Sequence, residues 1–158
     1  MSPGELPAGA RERVILVGDP DWDTRTILIR ALEHAGYLAR AVDSGDALLD
    51  AAGGAGVDLI IAEIYLRCRS GRCTVQCIKR DPVLRFIPVL VYTSRVLPSD
   101  EQWAREIGAE GFLMKPARID ALVGTVGELL AKREEPRAAP TLSGDGRARP
   151  PRERRPRA

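Results

Sequence analysis

The sequence has few aromatic residues and no long apolar run, and both shortages narrow the kinds of protein it can encode. Aromatic side chains make up 4% of the 158 residues, so a core drawn from the 44% hydrophobic fraction must be mostly aliphatic. The longest apolar runs have the length of a strand, which predicts no membrane-spanning helix. Residues 1–10 lack a basic segment followed by an apolar one, so no signal peptide is predicted. We expect a cytoplasmic protein of one domain.

Cysteine and histidine are also scarce. The three cysteines, Cys68, Cys73 and Cys77, cannot all pair, and the single histidine, His34, lies in the first predicted helix. A zinc or iron–sulfur site would need a fourth ligand at a familiar spacing, which the sequence does not offer. Cys73 and Cys77 are four residues apart, which predicts one face of a helix. We favour core packing for them, with a redox-sensing thiol as the alternative.

Charge is distributed unevenly along the chain. Residues 136–158 contain seven arginines against two acidic residues, together with five prolines and almost no apolar periodicity. Such a segment cannot bury enough surface to offset its ordering entropy. We therefore predict a flexible leader at residues 1–11, a folded domain at 12–133 and a disordered tail at 134–158. Because the tail has no aromatic residue to stack on bases, a nucleic-acid adaptor is only an alternative to a solvated tail.

Between these segments, apolar runs alternate with helical patterns. Predicted strands cover residues 14–17, 37–42, 57–63, 89–93 and 112–114. A helical pattern follows each strand, and the last one carries an apolar stripe that includes Ile119 and Leu130. This alternation predicts an α/β fold, a doubly wound five-stranded parallel sheet with helices on both faces. The flavodoxin-like strand order 2-1-3-4-5 is the expected arrangement.

Polar side chains stand where the predicted strands end. Asp19 follows the first strand, and Glu63 ends the third. Thr93 ends the fourth strand, and Lys115 follows the fifth. In an open α/β sheet the carboxyl ends of the strands form the ligand crevice. We therefore expect carboxylates, a hydroxyl and an ammonium group to meet at this edge.

These residues and their spacing resemble the response-regulator receiver (CheY-like) family over roughly residues 12–132. Gly71 lies eight residues after Glu63, where the family has a loop glycine. The segment 108–116 is close to the family's Gly-Ala-x-Gly-Tyr/Phe-x-x-Lys-Pro signature. The resemblance implies phosphoryl transfer by positioning and charge neutralisation. In that family, however, an aspartate that accepts the phosphoryl group stands at the position of Glu63.

The resemblance also implies roles for three residues outside the acidic loop. Thr93 and Lys115 match the hydroxyl and the lysine that contact the phosphate. Phe112 matches the switch aromatic, a position where Tyr and Phe both occur. The family commonly holds the peptide bond between this lysine and the following proline in the cis form, which aims the lysine into the pocket. We expect the same of Lys115 and Pro116.

The metal site is where this sequence departs from the family. Asp19 matches the first acid of the magnesium pair, but Pro20 falls on the second and offers no carboxylate. Asp21 is adjacent, with a side chain expected to point elsewhere. Asp19 and Glu63 then form a weak magnesium site at best, and no cofactor is expected. The longer arm of Glu63 moves the nucleophilic oxygen by about 1 Å, and such a misplacement costs roughly a hundredfold in rate.

We interpret the sequence as a stand-alone pseudo-receiver in bacterial two-component (phosphorelay) signal transduction. It is expected to be a protein-interaction module without enzymatic activity, and its partner a histidine kinase or a downstream regulator. The alternative is a magnesium-dependent receiver that is still phosphorylatable. Glu63 either imitates a phosphorylated acceptor or forms a plain salt bridge with Lys115 or an arginine of the 67–72 loop. Trp103 lies on the helix that receivers use for partners, although core packing is the favoured interpretation.

Overall fold

The computed structural model describes residues 11–54, 56–95 and 97–134. The strands in these ranges are β1 (Val14–Gly18), β2 (Leu38–Val42), β3 (Val57–Ala62), β4 (Val89–Thr93) and β5 (Gly111–Met114). The helices are α1 (Trp22–His34), α2 (Gly45–Ala52), α3 (Thr74–Arg80), α4 (Pro98–Glu106) and α5 (Ile119–Glu134), with a short 3-10 turn at Leu84–Phe86. Residues 1–10 of the predicted leader and 135–158 of the predicted tail lie outside the described ranges, so those boundaries stay predictions.

The strands form one parallel sheet in the order β2-β1-β3-β4-β5, which confirms the predicted α/β architecture. Every residue of β3 is buried, as expected of a central strand covered on both faces. β2 is an edge strand, and its residues are exposed or only partly buried. None of the helices in the described ranges is long and apolar enough to cross a membrane.

Two apolar clusters lie on opposite faces of the sheet, because successive strand side chains point to opposite sides. The first cluster joins α2, α3 and α4 to the sheet through residues such as Leu48, Ile78 and Ala104. The second joins α1 and α5 through residues such as Leu32 and Val126. Both clusters are almost wholly aliphatic, as the low aromatic content predicts. Removing this apolar surface from water stabilises the fold by roughly 25 cal/mol per Å².

Two isoleucines depart from the predicted helix faces. Ile27 of α1 and Ile119 of α5 fit the apolar stripes of their helices, yet they are 55% and 45% exposed. Leu28 and Leu32 of α1 are instead buried. The predicted apolar stripe of the last helix therefore includes one exposed residue, Ile119. The sheet covers a narrower stripe of each helix than the sequence pattern spans.

Capping side chains explain where two helices begin. The Asp21 carboxylate accepts a hydrogen bond from the Thr24 backbone at the start of α1, and the Ser44 hydroxyl accepts one from Ala47 at the start of α2. Helix α3 begins only at Thr74, and Cys73 is the residue before it. The prediction that Cys73 and Cys77 share one helix face is therefore wrong by this one position.

Gly45 allows α2 to touch the loop that follows β3. A Cβ at this position would lie 2.2 Å from Thr74 Oγ1 and 2.4 Å from the Arg67 carbonyl oxygen. No side chain fits into that space without moving backbone. Because Gly45 has no side chain, the β3–α3 loop can pack directly against the start of α2.

The amino end of the sheet is held by a buried carboxylate that the sequence analysis did not single out. Asp58 is 1% exposed, and it accepts bonds from Arg11 Nη2 at 2.5 Å and from the Val14 amide at 2.9 Å. Guanidinium groups of Arg13 and Arg133 lie 3.7 and 3.8 Å from the same oxygen, Oδ1. We call these five residues the Asp58 cluster. It fastens the segment before β1 and the end of α5 to β3.

Candidate functional site

The polar residues that end the strands meet at the carboxyl edge of the sheet, as expected. Gly18 pairs with Ala62 in the register of β1 and β3, so the residues that follow them, Asp19 and Glu63, are neighbours. The end of β4 pairs with the end of β5, and the Lys115 amide donates to the Thr93 carbonyl oxygen at 2.8 Å. The Lys115 side chain is thereby directed from β5 across the edge.

Lys115 joins both carboxylates of the site. Its Nζ donates to Asp19 Oδ2 at 2.6 Å and to Glu63 Oε2 at 2.9 Å. The side chains of Asp19 and Glu63 are only 3% and 6% exposed, and that of Lys115 is 18% exposed. Two carboxylates and one ammonium group leave this buried site with a net charge of −1. The three side chains are called the carboxylate–lysine site below.

The pKa of Lys115 is raised above its ordinary value. Burial alone would lower it, because desolvation disfavours the ammonium form. The hydrogen bonds to Asp19 and Glu63, together with their negative charges, outweigh that effect. Lys115 is therefore a cation at neutral pH.

One oxygen of Glu63 remains without a partner. Oε1 is buried and accepts no hydrogen bond from any residue that the structure describes. A buried acceptor in this state carries a desolvation cost of roughly 1–3 kcal/mol. The Glu63 backbone, in contrast, is well held, because its amide donates to the Gly18 carbonyl oxygen at 2.9 Å. Within Glu63, only this side-chain oxygen therefore lacks a hydrogen-bond partner among the described residues.

In the β1–α1 loop, the Asp21 carboxylate and one oxygen of Asp19 accept hydrogen bonds from residues close by in the chain. Asp19 Oδ1 accepts from the Asp21 amide at 2.9 Å, and Arg25 donates to the Asp19 and Pro20 carbonyl oxygens at 2.8 and 2.9 Å. The Asp21 carboxylate accepts from the Thr24 hydroxyl and amide, and these two bonds lower the pKa of Asp21. As predicted, Asp21 is directed away from the site rather than taking the place of the missing second acid.

This donor set does not fit a resident magnesium ion as it stands. Magnesium demands near-ideal octahedral oxygen coordination, and here both carboxylates already bind an ammonium group. Across residues 11–54, 56–95 and 97–134, no group of three or more His, Cys, Asp or Glu side chains is placed to hold a metal ion. The predicted weak site of Asp19 and Glu63 stays a prediction, and no step below depends on it.

Thr93 and Phe112, the two other predicted site residues, do not join the carboxylate–lysine site. Thr93 is fully buried, and its hydroxyl accepts from the Arg95 amide at 3.3 Å. Phe112 is half-buried and packs against the apolar cluster of α2, α3 and α4. The Arg95 guanidinium lies over the Tyr65 ring, 3.9 Å from its centroid, and so connects the loop after β4 to the loop after β3. Sequence reasoning missed Arg95 and Arg25 because neither matches a family motif.

Two arginines of the 67–72 loop bind other partners. The Arg67 guanidinium donates to the Gly71 carbonyl oxygen at 3.0 Å, and that of Arg69 lies 3.9 Å from the Asp46 carboxylate. Among the described residues, the side chain that pairs with Glu63 is Lys115. Of the two partners considered from the sequence, the lysine is therefore the one observed.

The family model described as "Response regulator receiver domain" matches residues 14–127. The chain belongs to this family. This receiver domain is similar to the polar-differentiation response regulator DivK of Brucella ovis, with 32% identity over 99 residues that cover 63% of the chain and 80% of DivK. It is also 27% identical to the sensory/regulatory protein RpfC of Xanthomonas campestris over 124 residues. That match covers 77% of the chain but only 17% of RpfC.

Solved structures give the same picture of the receiver domain. The chemotaxis protein CheY4 of Vibrio cholerae superposes with a TM-score of 0.68 and 25% identity, over 75% of this chain and 99% of that one. A response regulator from Chloroflexus aurantiacus gives a TM-score of 0.71 and 26% identity, over 77% and 99% of the two chains. The chain is thus a receiver domain of the kind found in two-component response regulators.

The receiver domain keeps one more feature that the family resemblance implies. The peptide bond between Lys115 and Pro116 is cis. The Ala117 amide donates to the Tyr92 hydroxyl at 3.1 Å, and this bond anchors the segment that follows the proline. Hydrogen bonds to β4 thus hold the backbone both at Lys115 and two residues after it.

Proposed function

We propose that this receiver domain acts as a phosphorylation-independent protein-interaction module in two-component signal transduction. The observation that carries the proposal is the bridge from Lys115 Nζ to Asp19 and Glu63, at 2.6 and 2.9 Å. A lysine that must neutralise a phosphoryl group is here already bound by two carboxylates. The domain is accordingly a binding module rather than an enzyme.

The chemistry of acceptance also argues against phosphorylation. A receiver holds magnesium with a pair of acids after the first strand, and Pro20 supplies none. The Asp21 carboxylate caps α1 instead. The additional methylene of Glu63 shifts the attacking oxygen by about 1 Å, which is enough to lower a rate roughly a hundredfold. Pro20 thus removes a metal ligand, and Glu63 alters the geometry of attack.

Exposed apolar side chains supply the surface for a partner. Leu97, which precedes α4, is 62% exposed, Trp103 of α4 is 39% exposed, and Met114 of β5 is 51% exposed. Helix α4 packs against β5, so these side chains belong to adjoining elements. The favoured prediction of core packing for Trp103 is wrong, because the indole is partly open to solvent. Aromatic and methionine side chains are enriched at protein interfaces, and we propose a histidine kinase or a downstream regulator as the partner.

The geometry favours a fixed salt bridge over an imitation of the phosphorylated state. An imitation should draw the Thr93 hydroxyl toward Glu63 and turn Phe112 inward. The Thr93 hydroxyl instead accepts from the Arg95 amide, and Phe112 remains half-buried. We therefore propose that Glu63 keeps Lys115 engaged and holds the site in one arrangement.

The decisive experiment is treatment of the intact chain with acetyl phosphate and magnesium, followed by measurement of the intact mass. The wild-type chain is expected to gain no phosphate. The double variant Pro20→Asp/Glu63→Asp is expected to bind magnesium and to gain one phosphate, because it regains the second acid and the shorter arm. Glu63→Asp alone is the matched control for arm length. A phosphate found on Glu63 of the wild-type chain would overturn the proposal.

A magnesium-dependent receiver that is still phosphorylatable is the second candidate. The observation in its favour is Glu63 Oε1, a buried carboxylate oxygen without a described partner. A phosphoryl group or a metal ion would provide the partner that this oxygen lacks. This candidate predicts a phosphate on the wild-type chain that Glu63→Gln abolishes. The nucleic-acid alternative depends on the predicted tail, whose residues 135–158 lie outside the described ranges. No observation in the described part of the chain favours it.

A further inference from the structure

The loop after β3 brings the thiol groups of two cysteines into contact with each other. Cys68 Sγ and Cys77 Sγ are 3.2 Å apart, although nine residues separate them along the chain. Cys68 lies in the loop, and Cys77 lies in α3. A disulfide has an S–S length of about 2.05 Å, so the sulfurs need to approach by only about 1.2 Å.

Neighbouring groups prepare Cys68 to react. Its sulfur lies 2.9 Å from the Ser70 hydroxyl oxygen and 3.5 Å from the Arg72 carbonyl oxygen. Hydrogen bonds from Ser70 and Cys77 lower the pKa of Cys68, and burial raises the pKa of Cys77. Of the two thiols, Cys68 is therefore the one that loses its proton more readily. The thiolate is the nucleophilic form of cysteine.

The third cysteine does not take part in this contact. Cys73 Sγ donates to the Ile64 carbonyl oxygen at 3.3 Å, and the residue is 4% exposed. Because the three sulfurs do not converge, the described part of the chain offers no metal site at the cysteines. Cys68 and Cys77 therefore form a pair of neighbouring thiols, which a two-electron oxidation converts into a disulfide.

We propose that Cys68 and Cys77 form a reversible disulfide, and that this site of oxidation operates independently of Glu63. With hydrogen peroxide as oxidant, the Cys68 thiolate attacks one peroxide oxygen and the O–O bond breaks, so Cys68 becomes a sulfenic acid and the released hydroxide takes up a proton and leaves as water. The sulfur of Cys77 then attacks the sulfenic sulfur, and the hydroxyl group leaves as a second water. Two thiols and one hydrogen peroxide thus give one disulfide and two waters. A dithiol reductant restores both thiols by exchange.

The consequence of oxidation is a covalent tie across the β3–α3 loop. This loop begins directly after Glu63, and its end is already bound by the Thr74 amide, which donates to the Leu66 carbonyl oxygen at 2.9 Å. The disulfide closes a ring of ten residues, from Cys68 to Cys77. Amide hydrogen exchange in residues 69–72 should slow when the bond forms and recover when dithiothreitol reduces it.

The test uses the intact chain, hydrogen peroxide as the probe, and Cys73→Ser as the matched variant. After oxidation and unfolding, the wild-type chain should retain one of its three titratable thiols, and Cys73→Ser should retain none. The monomer mass should fall by two hydrogen atoms and return with dithiothreitol. Trypsin cleaves after Arg67, Arg69, Arg72 and Lys79, so the wild-type product should contain Cys68–Arg69 linked to Cys73–Lys79, a peptide that carries both other cysteines. If the free thiol is alkylated before digestion, fragmentation of this peptide should place the label on Cys73 and the disulfide on Cys77. This mapping remains available if Cys73→Ser folds poorly.

Several outcomes would overturn the proposal. Cys68→Ser should keep both remaining thiols, so equally fast loss of thiols in that variant would mean that Cys73 and Cys77 pair instead. Disulfide-linked dimers, or added oxygen on Cys68 without a disulfide, would show that the contact does not lead to an internal bond. In urea, Cys73→Ser should oxidise at least tenfold more slowly. An equal rate in urea would show that the fold does not prepare the pair.

Discussion

Strand β3 carries a buried carboxylate at each end, and the two are satisfied very differently. Asp58, near the amino end, binds Arg11 and the Val14 amide, with two further guanidinium groups within 4 Å. Glu63, directly after the carboxyl end, binds Lys115 through one oxygen and leaves the other without a described partner. The same strand thus holds one carboxylate with surplus donors and one with too few.

The difference separates a group that stabilises from a group that is available to act. Asp58 has partners for both oxygens, so its removal can only lose interactions. Glu63 shares a single cation with Asp19 and contributes to a site of net charge −1. Polar groups left unmatched in a folded protein concentrate at functional sites, where their cost is carried by the rest of the structure. We therefore expect substitution of Glu63 at the carboxyl edge to affect function more than stability.

The largest effect is expected from Lys115→Met. Both remaining carboxylates are at least nine-tenths buried and lose the cation that they share. Removal of one partner from a buried ion pair costs several kcal/mol, and we expect the free energy of unfolding to fall by about 4 kcal/mol. Urea denaturation measures this loss, with Lys132→Met, an exposed lysine of α5, as the control. A loss under about 1 kcal/mol would mean that the site is far more solvated than the structure indicates.

Asp58→Asn should have a smaller effect. The arginines around Asp58 are partly exposed and can return their charge to water, so only the buried hydrogen bonds are lost. We expect the free energy of unfolding to fall by about 2 kcal/mol, with Asp50→Asn on the exposed face of α2 as the control. If Asp58→Asn lowers the free energy of unfolding more than Lys115→Met does, the expected ranking of the two ends of β3 is wrong.

Glu63→Gln should change stability by less than about 1 kcal/mol. One oxygen of Glu63 already has no described partner, and Asp19 keeps its bond to Lys115 in the variant. Thermal and urea unfolding of this variant beside Glu128→Gln, an exposed site of α5, measure the difference. If Glu63→Gln lowers the free energy of unfolding as much as Asp58→Asn does, Glu63 stabilises the fold in the way that Asp58 does.

The smallest expected effect is a dependence on alkaline pH. Because the pKa of Lys115 is raised in the folded state, its contribution to stability is fully present below the unfolded value of about 10.4 and is lost as the pH rises through the folded value. The stability difference between the wild-type chain and Lys115→Met should therefore begin to shrink only above about pH 10.4. Subtraction removes the titration of the other lysines and tyrosines. A constant difference would contradict the assigned shift.

The sequence predicted the fold and much of the edge, for identifiable reasons. Regular alternation of strands and helices permits few topologies, and the residues that end neighbouring strands necessarily meet. The pairing of Lys115 with Glu63 followed from that rule and from the family motif. The Asp58 cluster did not, because Arg133 lies 75 residues away from Asp58 and no local pattern announces the contact. The thiol pair was missed because helical spacing indicated Cys73, whereas α3 begins one residue later.

The Asp58 cluster also joins the two ends of the described fold to each other. Arg11 and Arg133, near the two ends of the described fold, converge on one carboxylate. Glu63 lies five positions after Asp58, a distance of about 17 Å in an extended strand. The two ends of the described fold are thus held at the edge of the sheet opposite Lys115. Tension applied between Arg11 and Arg133 would act on Asp58 and not on the carboxylate–lysine site.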